Sequence, residues 1–119
     1  MAGALVSEER GLVFTSNRGE NTVSVFAPGL ERDAFKVPVG EKPNGLAFDP
    51  VRGTLIAANV GDPSIPDSYS VSVVDIARRE RTAEIKVAGR TRWAVYDAQR
   101  ETFFVNIASP RPAAPYWRR

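Results

Sequence analysis

The sequence predicts an all-β fold made of four-stranded antiparallel sheets that repeat along the chain. The first observation is an internal repeat: GALVSEERGLVFTSN starts at Gly3, GLAFDPVRGTLIAAN at Gly45 and WAVYDAQRETFFVNI at Trp93. The second is that each copy consists of short runs rich in Val, Ile, Leu and Phe, bounded by Pro, Gly, Asp or Asn. A period in the forties with four such runs is typical of a β-propeller blade. We therefore expect a β-propeller fragment with strands in the order A-B-C-D, A-B-C-D, A-B.

The strands of the first two copies follow one pattern. In the second copy, strands A to D are predicted at Gly45–Asp49, Thr54–Asn59, Ser70–Ile76 and Thr82–Val87. Alternation of apolar and polar residues, as at Val71 and Val73, indicates strands that are covered on one face. The pattern places blade 1 at about 3–40, blade 2 at about 45–89 and half a blade at about 93–108, so that residues 1–108 form a partial β-propeller.

The last residues, 109–119, break the pattern. They read SPRPAAPYWRR, with three prolines between Pro110 and Pro115. Proline has no N–H group to donate to a strand ladder. We expect an irregular tail rich in Pro and Arg instead of a strand C.

Polar residues and glycines at the strand ends have expected structural roles. Asp49 and Asp97 are predicted to cap the A–B turns, and Gly40 and Gly89 to suit the turns between blades. The asparagines that end strand B, Asn17 and Asn59, either open the B–C hairpin or present amides to a polar ligand.

The composition excludes several kinds of chemistry. The 119 residues contain no cysteine and no histidine, which excludes disulfides, thiolate metal sites and a histidine base. The net charge of +2 is too small to argue for a nucleic-acid partner, and we expect none. No stretch approaches the roughly 20 apolar residues of a membrane-spanning helix, and this chain shows no signal peptide. We expect no catalytic residue, no metal site and no cofactor, and the composition leaves the localisation open.

The repeated motifs resemble those of the YVTN-repeat β-propeller family, which includes YncE-like proteins. The first repeat gives LVFTSN, NTVSVFA, KVPVG and KPNGLAFDPVRG, and the second gives LIAAN, SYSVSVVDIA and EIKVAG. The similarity covers about residues 3–108. It implies a propeller of WD40/YVTN-like repeats, of which this chain holds about two and a half blades, and it allows a periplasmic or secreted parent protein.

The candidate ligand-binding residues come from two loops that propeller topology places on one face. An insertion in the second repeat, Val60 to Ser70, supplies Asp62, Asp67 and Tyr69. The loop before the third repeat supplies Arg90, Arg92 and Trp93. Arginine forks suit anionic groups, and Arg with Trp is enriched where proteins bind partners. In the alternative interpretation the arginines pair with Asp62 and Asp67, and Trp93 packs between blades.

These observations predict a non-enzymatic module that binds a small anionic ligand or a protein, as a truncated piece of a larger YVTN-type propeller. One alternative is a fragment of a propeller enzyme, either lactonase-like or haem-d1-like. Another is a short chain that completes a ring by homo-oligomerisation. Open blade edges also predict self-association.

Overall fold

The computed structural model describes residues 3–108 and 116–118, which form eleven strands. The strands are β1 (Gly3–Ser7), β2 (Leu12–Asn17), β3 (Thr22–Phe26), β4 (Phe35–Pro38), β5 (Pro43–Asp49), β6 (Thr54–Asn59), β7 (Ser70–Asp75), β8 (Glu80–Lys86), β9 (Arg90–Asp97), β10 (Thr102–Ala108) and β11 (Tyr116–Arg118). A single turn of 3-10 helix, Glu31–Asp33, precedes β4. In the described residues, no helix is long and apolar enough to cross a membrane.

The strands form three antiparallel sheets, each built from neighbours in sequence. Blade 1 has the order β1-β2-β3-β4 and blade 2 the order β5-β6-β7-β8. Blade 3 contains β9, β10 and β11, with β10 in the middle. The expected all-β fold of four-stranded antiparallel blades is therefore confirmed for the first two repeats, and the expected A–B hairpin is present in the third.

The prediction of an irregular tail is wrong for its last described residues. Tyr116–Arg118 pairs antiparallel with β10, in the register Phe103 to Arg118 and Val105 to Tyr116. Pro115 is the last proline, so each of the three residues after it has an N–H group, and β10 offers them an open edge. β11 thus occupies the place of a third strand. Residues 109–115 and Arg119 lie outside the described residues.

Blades 1 and 2 bury a shared core. Alternate residues of each sheet point into this core. The rings of its two buried phenylalanines, Phe14 and Phe48, have centroids 4.6 Å apart. The buried residues are Phe14, Val23, Val25, Val37, Val39, Leu46, Phe48, Leu55, Ala57, Val74 and Ile76. Burial of each large side chain contributes about 1.5–3 kcal/mol, so this seam is a major source of stability.

The opposite face of blade 2 packs against blade 3. The core there consists of Ala47, Ile56, Ala58, Val71, Phe103, Val105 and Ile107, with Tyr96 and Ala94 packed against it. The Tyr96 and Phe103 rings lie 4.7 Å apart. Blade 2 therefore has an apolar layer on both faces, which is the arrangement of an internal blade in an array.

The first strands of the three blades lie side by side, with β5 in contact with both β1 and β9. Glycine permits this approach. A Cβ at Gly3 would lie 2.7 Å from the Asn44 carbonyl oxygen, and one at Gly45 would lie 3.0 Å from Trp93 Cα. Trp93 holds the same repeat position in β9 that these two glycines hold in β1 and β5.

Candidate functional site

The insertion in blade 2 is a closed loop over residues 60–69. Its base is held by the strand linker from blade 1, because the N–H groups of Val60 and Gly61 donate to the carbonyls of Lys42 and Glu41, at 2.8 and 3.0 Å. Within the loop, Ser68 Oγ accepts from the Asp62 N–H and donates to the Asp62 carbonyl, both at 2.8 Å. These bonds fix where the loop leaves and re-enters the sheet.

Three of the predicted site residues lie in this loop and serve mainly to shape it. Asp62 accepts from the N–H and hydroxyl of Ser64, at 2.9 and 2.7 Å, and pairs with Lys42 Nζ at 3.4 Å. The Ser64 hydrogen bonds, followed by Lys42, hold the pKa of Asp62 below its usual value. Asp67, with a φ of 60°, lies 3.9 Å from Lys86 Nζ. The Tyr69 ring packs so closely on Gly61 that a Cβ there would lie 2.6 Å from it.

The other three predicted residues lie at the start of β9. Arg90, Arg92 and Trp93 are exposed, and Trp93 retains 47% of its accessible surface. Between the two arginines, buried Thr91 donates its hydroxyl to the Asn59 carbonyl at 2.8 Å. Since Asn59 directly precedes the insertion, this bond holds the arginines beside the base of the loop.

The alternative in which these arginines pair with the loop carboxylates is wrong. Across residues 3–108, Asp62 and Asp67 pair with Lys42 and Lys86, and neither Arg90 nor Arg92 forms an ion pair. The Trp93 side chain also does not pack between blades 2 and 3. It alternates with Ala94, which faces blade 2, and so it lies on the opposite face with half-exposed Val95.

A groove of about 490 Å³ runs along the inner strands toward the A–B turns, at the other end of β9. Its walls are mostly apolar and come from all three blades, and the acidic residues Glu8 and Glu9 also line it. The main lining residues are Leu5, Val6, Leu46, Phe48, Val95 and Tyr96. Sequence reasoning missed this groove, although the apolar residues at matching positions of strand A in each repeat were the available signal.

The A–B turns beside the groove are joined by arginines. Arg10 donates to the Pro50 carbonyl of blade 2 at 2.8 Å, and Arg52 donates to Glu101 of blade 3 at 2.6 Å. Gly11 and Gly53 have positive φ at matching turn positions, and Glu101 adopts the same left-handed conformation in blade 3. Each arginine thus reaches from its own turn to the turn of the next blade.

Asp49 is the most buried carboxylate of these turns, with 2% of its surface accessible. It accepts from the N–H groups of Val51 and Arg52, as predicted for a turn cap, and from Arg52 Nη1 at 3.1 Å. Burial raises its pKa, but the hydrogen bonds outweigh burial and hold the pKa below its usual value. Burial, followed by the charge of Asp49, raises the pKa of Tyr96. The hydrogen bonds that Arg52 donates to Glu101 and to Asp49 raise the pKa of Arg52 further above its already high value.

The strand-ending asparagines bond to the next strand. Asn59 Nδ2 donates to Ser70 and Ser72, both at 2.9 Å, and Asn17 Nδ2 donates to Thr22 and Ser24. This cross-strand bonding differs from both interpretations offered by the sequence. In blade 1 Thr15 donates to Asn17 Oδ1. Ala57 holds the matching place in blade 2, and Asn59 Oδ1 is buried without a partner in the described part of the chain.

Comparison with known proteins finds a similar solved structure but no similar sequence. No protein-family model matches the chain, and no curated protein sequence matches it. The structure is similar to Kuenenia stuttgartiensis hydrazine synthase, a β-propeller-containing protein, with a TM-score of 0.78 at 17% sequence identity. The match covers 96% of this chain and 32% of that chain, so the present chain spans about a third of its structural neighbour. The sheet topology and this likeness together show that the chain has a β-propeller-like fold.

Proposed function

We propose that this chain is a non-enzymatic binding module, part of a larger YVTN-type propeller, that takes an anionic ligand or an acidic protein segment. The site is the start of β9 beside the insertion loop. The observation that carries the proposal is that Arg90 and Arg92 are exposed without a carboxylate partner across residues 3–108. The carboxylates of the loop are already occupied by Lys42 and Lys86.

Two further features support the site. Thr91 anchors the segment between the arginines, so both side chains leave from a fixed stretch of backbone. The neighbouring Trp93 offers an exposed flat surface, and Trp and Arg together form many binding hot spots.

The test is titration with a fluorescein-labelled hexaglutamate peptide, and separately with inorganic pyrophosphate, at low salt. We expect the Arg90→Ala/Arg92→Ala variant to bind at least about tenfold more weakly, since a hydrogen bond to a charged group is worth about 1.5–3 kcal/mol. Arg78→Ala is the matched control, because Arg78 is exposed in the C–D turn and pairs with Glu80. Equal affinity of the double variant and the wild type for both probes would refute the proposed site.

A further inference from the structure

Blade 1 has an outer face, turned away from blade 2, whose residues match those of a covered face in blade 2. We define this outer face by Val6, Val13, Asn17, Thr22 and Ser24. The matching residues of blade 2, which blade 1 covers, are Phe48, Leu55, Asn59, Ser70 and Ser72. Val6 retains 62% of its accessible surface, whereas Phe48 retains 7%. The difference between these exposed fractions shows how much surface a neighbouring blade covers at this position.

The asparagine of the outer face makes the same cross-strand bonds as its counterpart in blade 2, and the two faces differ in that Lys36 stands where Glu84 accepts the serine hydroxyls of blade 2. Asn17 Nδ2 donates to Thr22 Oγ1 at 3.0 Å and to Ser24 Oγ at 2.8 Å. In blade 2 the corresponding Ser72 Oγ also accepts the N–H of Gly40, which follows the last strand of blade 1. A Cβ at Gly40 would overlap Glu84, Asn59 and Ser70. The polar cluster of blade 2 (Asn59, Ser70, Ser72 and Glu84) therefore has no room for a side chain at Gly40 unless its own side chains move.

The third repeat shows that the glycine of the linker recurs even without the asparagine. β10 has Ile107 at the position of Asn59. The linker that precedes blade 3 has Gly89, and a Cβ there would overlap the Ala108 carbonyl oxygen. In both seams, therefore, a glycine of the linker packs against the next blade, as Gly40 does in blade 2. We expect the same of a blade that covers blade 1.

The open face of blade 3 does not offer the same surface. In β1 and β5, Gly3 and Gly45 let the next inner strand approach to within about 3 Å of where a Cβ would lie. Trp93 replaces them in β9, so its indole stands where the next inner strand would run at this spacing. A second copy of the chain therefore cannot place its blade 3 on blade 1 with the spacing seen between blades 1 and 2.

We propose that the outer face of blade 1 binds a four-stranded antiparallel blade that lies outside this sequence and whose last strand is followed by a glycine linker, an inference that rests on the proposed function as part of a larger propeller. The interface repeats the seam between blades 1 and 2. It has valine and larger apolar side chains on both faces and one N–H donated from the glycine linker to Ser24 Oγ.

The test adds such a blade and follows one thiol. A copy of residues 3–44 is fused directly ahead of Gly3 of the full chain, which reproduces the natural 42-residue spacing between Gly3 and Gly45. Because the chain has no cysteine, Val6→Cys in the original blade 1 gives a single probe on the outer face. We expect maleimide to label this thiol at least tenfold more slowly in the extended protein than in the original chain.

Two controls separate docking from other effects. Val51→Cys lies on an A–B turn with 79% exposure and should react equally in both proteins. An extension that carries Gly40→Val in the added copy should leave the thiol of Val6→Cys reactive, because the valine Cβ would overlap Asn17 and Thr22 as it would overlap the blade 2 cluster. Labelling is measured at micromolar concentration on the monomer fraction from gel filtration.

The outcomes are distinct. Protection of the Val6→Cys thiol that is lost with Gly40→Val supports the proposal. Full reactivity of that thiol overturns the proposal, because the outer face then fails to hold a matching blade. This conclusion holds whether or not the added residues raise the strand signal in far-UV circular dichroism. Protection that persists with Gly40→Val overturns the role of the glycine linker.

Discussion

At the scale of single residues, Asp49 shows how one carboxylate connects a turn with the interface to the next blade. Its side chain caps the A–B turn through the N–H groups of Val51 and Arg52. It also holds the Arg52 guanidinium, which reaches Glu101 on blade 3. A buried carboxylate is stable only when it is well hydrogen-bonded, and these donors meet that need.

The lowered pKa of Asp49 predicts acid sensitivity. A carboxylate with a folded-state pKa below its unfolded value of about 3.9 contributes stability above that value and loses it as the pH falls through the folded-state pKa. We expect Asp49→Asn to lower the melting temperature at pH 7 and to reduce the loss of stability between about pH 4 and pH 2. Thermal melts at several pH values measure both effects.

The control for this prediction is Glu9→Gln, which changes an exposed carboxylate in another A–B turn. It should leave the melting temperature at pH 7 within about a degree of the wild type, because exposed substitutions away from contacts stay within about 0.5 kcal/mol. Equal melting curves for Asp49→Asn and the wild type at pH 7 and pH 3 would show that the carboxylate does not stabilise the turn.

At the scale of strands and loops, the linkers between blades help to determine how neighbouring blades pack. The linker after β4 passes between Asn21, which accepts the Lys42 N–H through Oδ1 at 2.8 Å, and the base of the insertion loop. Gly40 lies where that linker crosses the polar cluster of blade 2. The φ of Gly40 is not positive, so the structure does not need the conformational freedom of glycine there. It needs the small size of glycine, because the neighbouring side chains leave no room for a Cβ.

Gly40→Ala should therefore destabilise the seam between blades 1 and 2. The added methyl group displaces Asn59, Ser70 or Glu84, and overpacking of this kind costs about 1–3 kcal/mol. Gly19→Ala is the matched control, because no atom lies within 4 Å of a Cβ there. Urea unfolding followed by circular dichroism measures the difference, and equal midpoints for both variants would contradict the packing role of Gly40.

Much of the architecture was predictable, because the strands of blades 1 and 2 have a clear period-2 pattern with turn residues between them. β11 was missed because the prolines before it conceal a three-residue strand whose pairing depends on an edge of β10. The Arg–Asp pairing was wrong because Lys42 and Lys86 lie nearer to Asp62 and Asp67 in space, which sequence separation does not reveal. Gly40 was interpreted as a turn residue, since a need for small size depends on side chains from the next blade.

At the scale of the whole molecule, the array ends in two open apolar faces. Blade 1 exposes Val6, and blade 3 exposes Val95 beside Trp93, while blade 2 is covered on both sides. Each blade packs only on its neighbours, so the two end blades lack half of the burial that the middle blade receives. Exposed apolar faces of this kind promote association.

We therefore expect the isolated chain to associate in a concentration-dependent way. The double variant Val6→Lys/Val95→Lys places a charge on each open face and should shift sedimentation velocity profiles toward the 13.0 kDa monomer. Val51→Lys, at an exposed turn position, should leave the profile unchanged. A wild-type chain that sediments as a monomer at every concentration would refute this expectation.

The loop at 60–69 can vary in sequence without disturbing the blades, because hydrogen bonds hold its base in place. Its two ends are tied to the Lys42 linker and to Ser68, whereas Pro63 to Asp67 are exposed and contact the blade core little. Residues can be inserted or exchanged at that tip while the sheet beneath keeps its bonds. The loop is thus a suitable position for new recognition sequences, and its base lies beside the segment that carries Arg90 and Arg92.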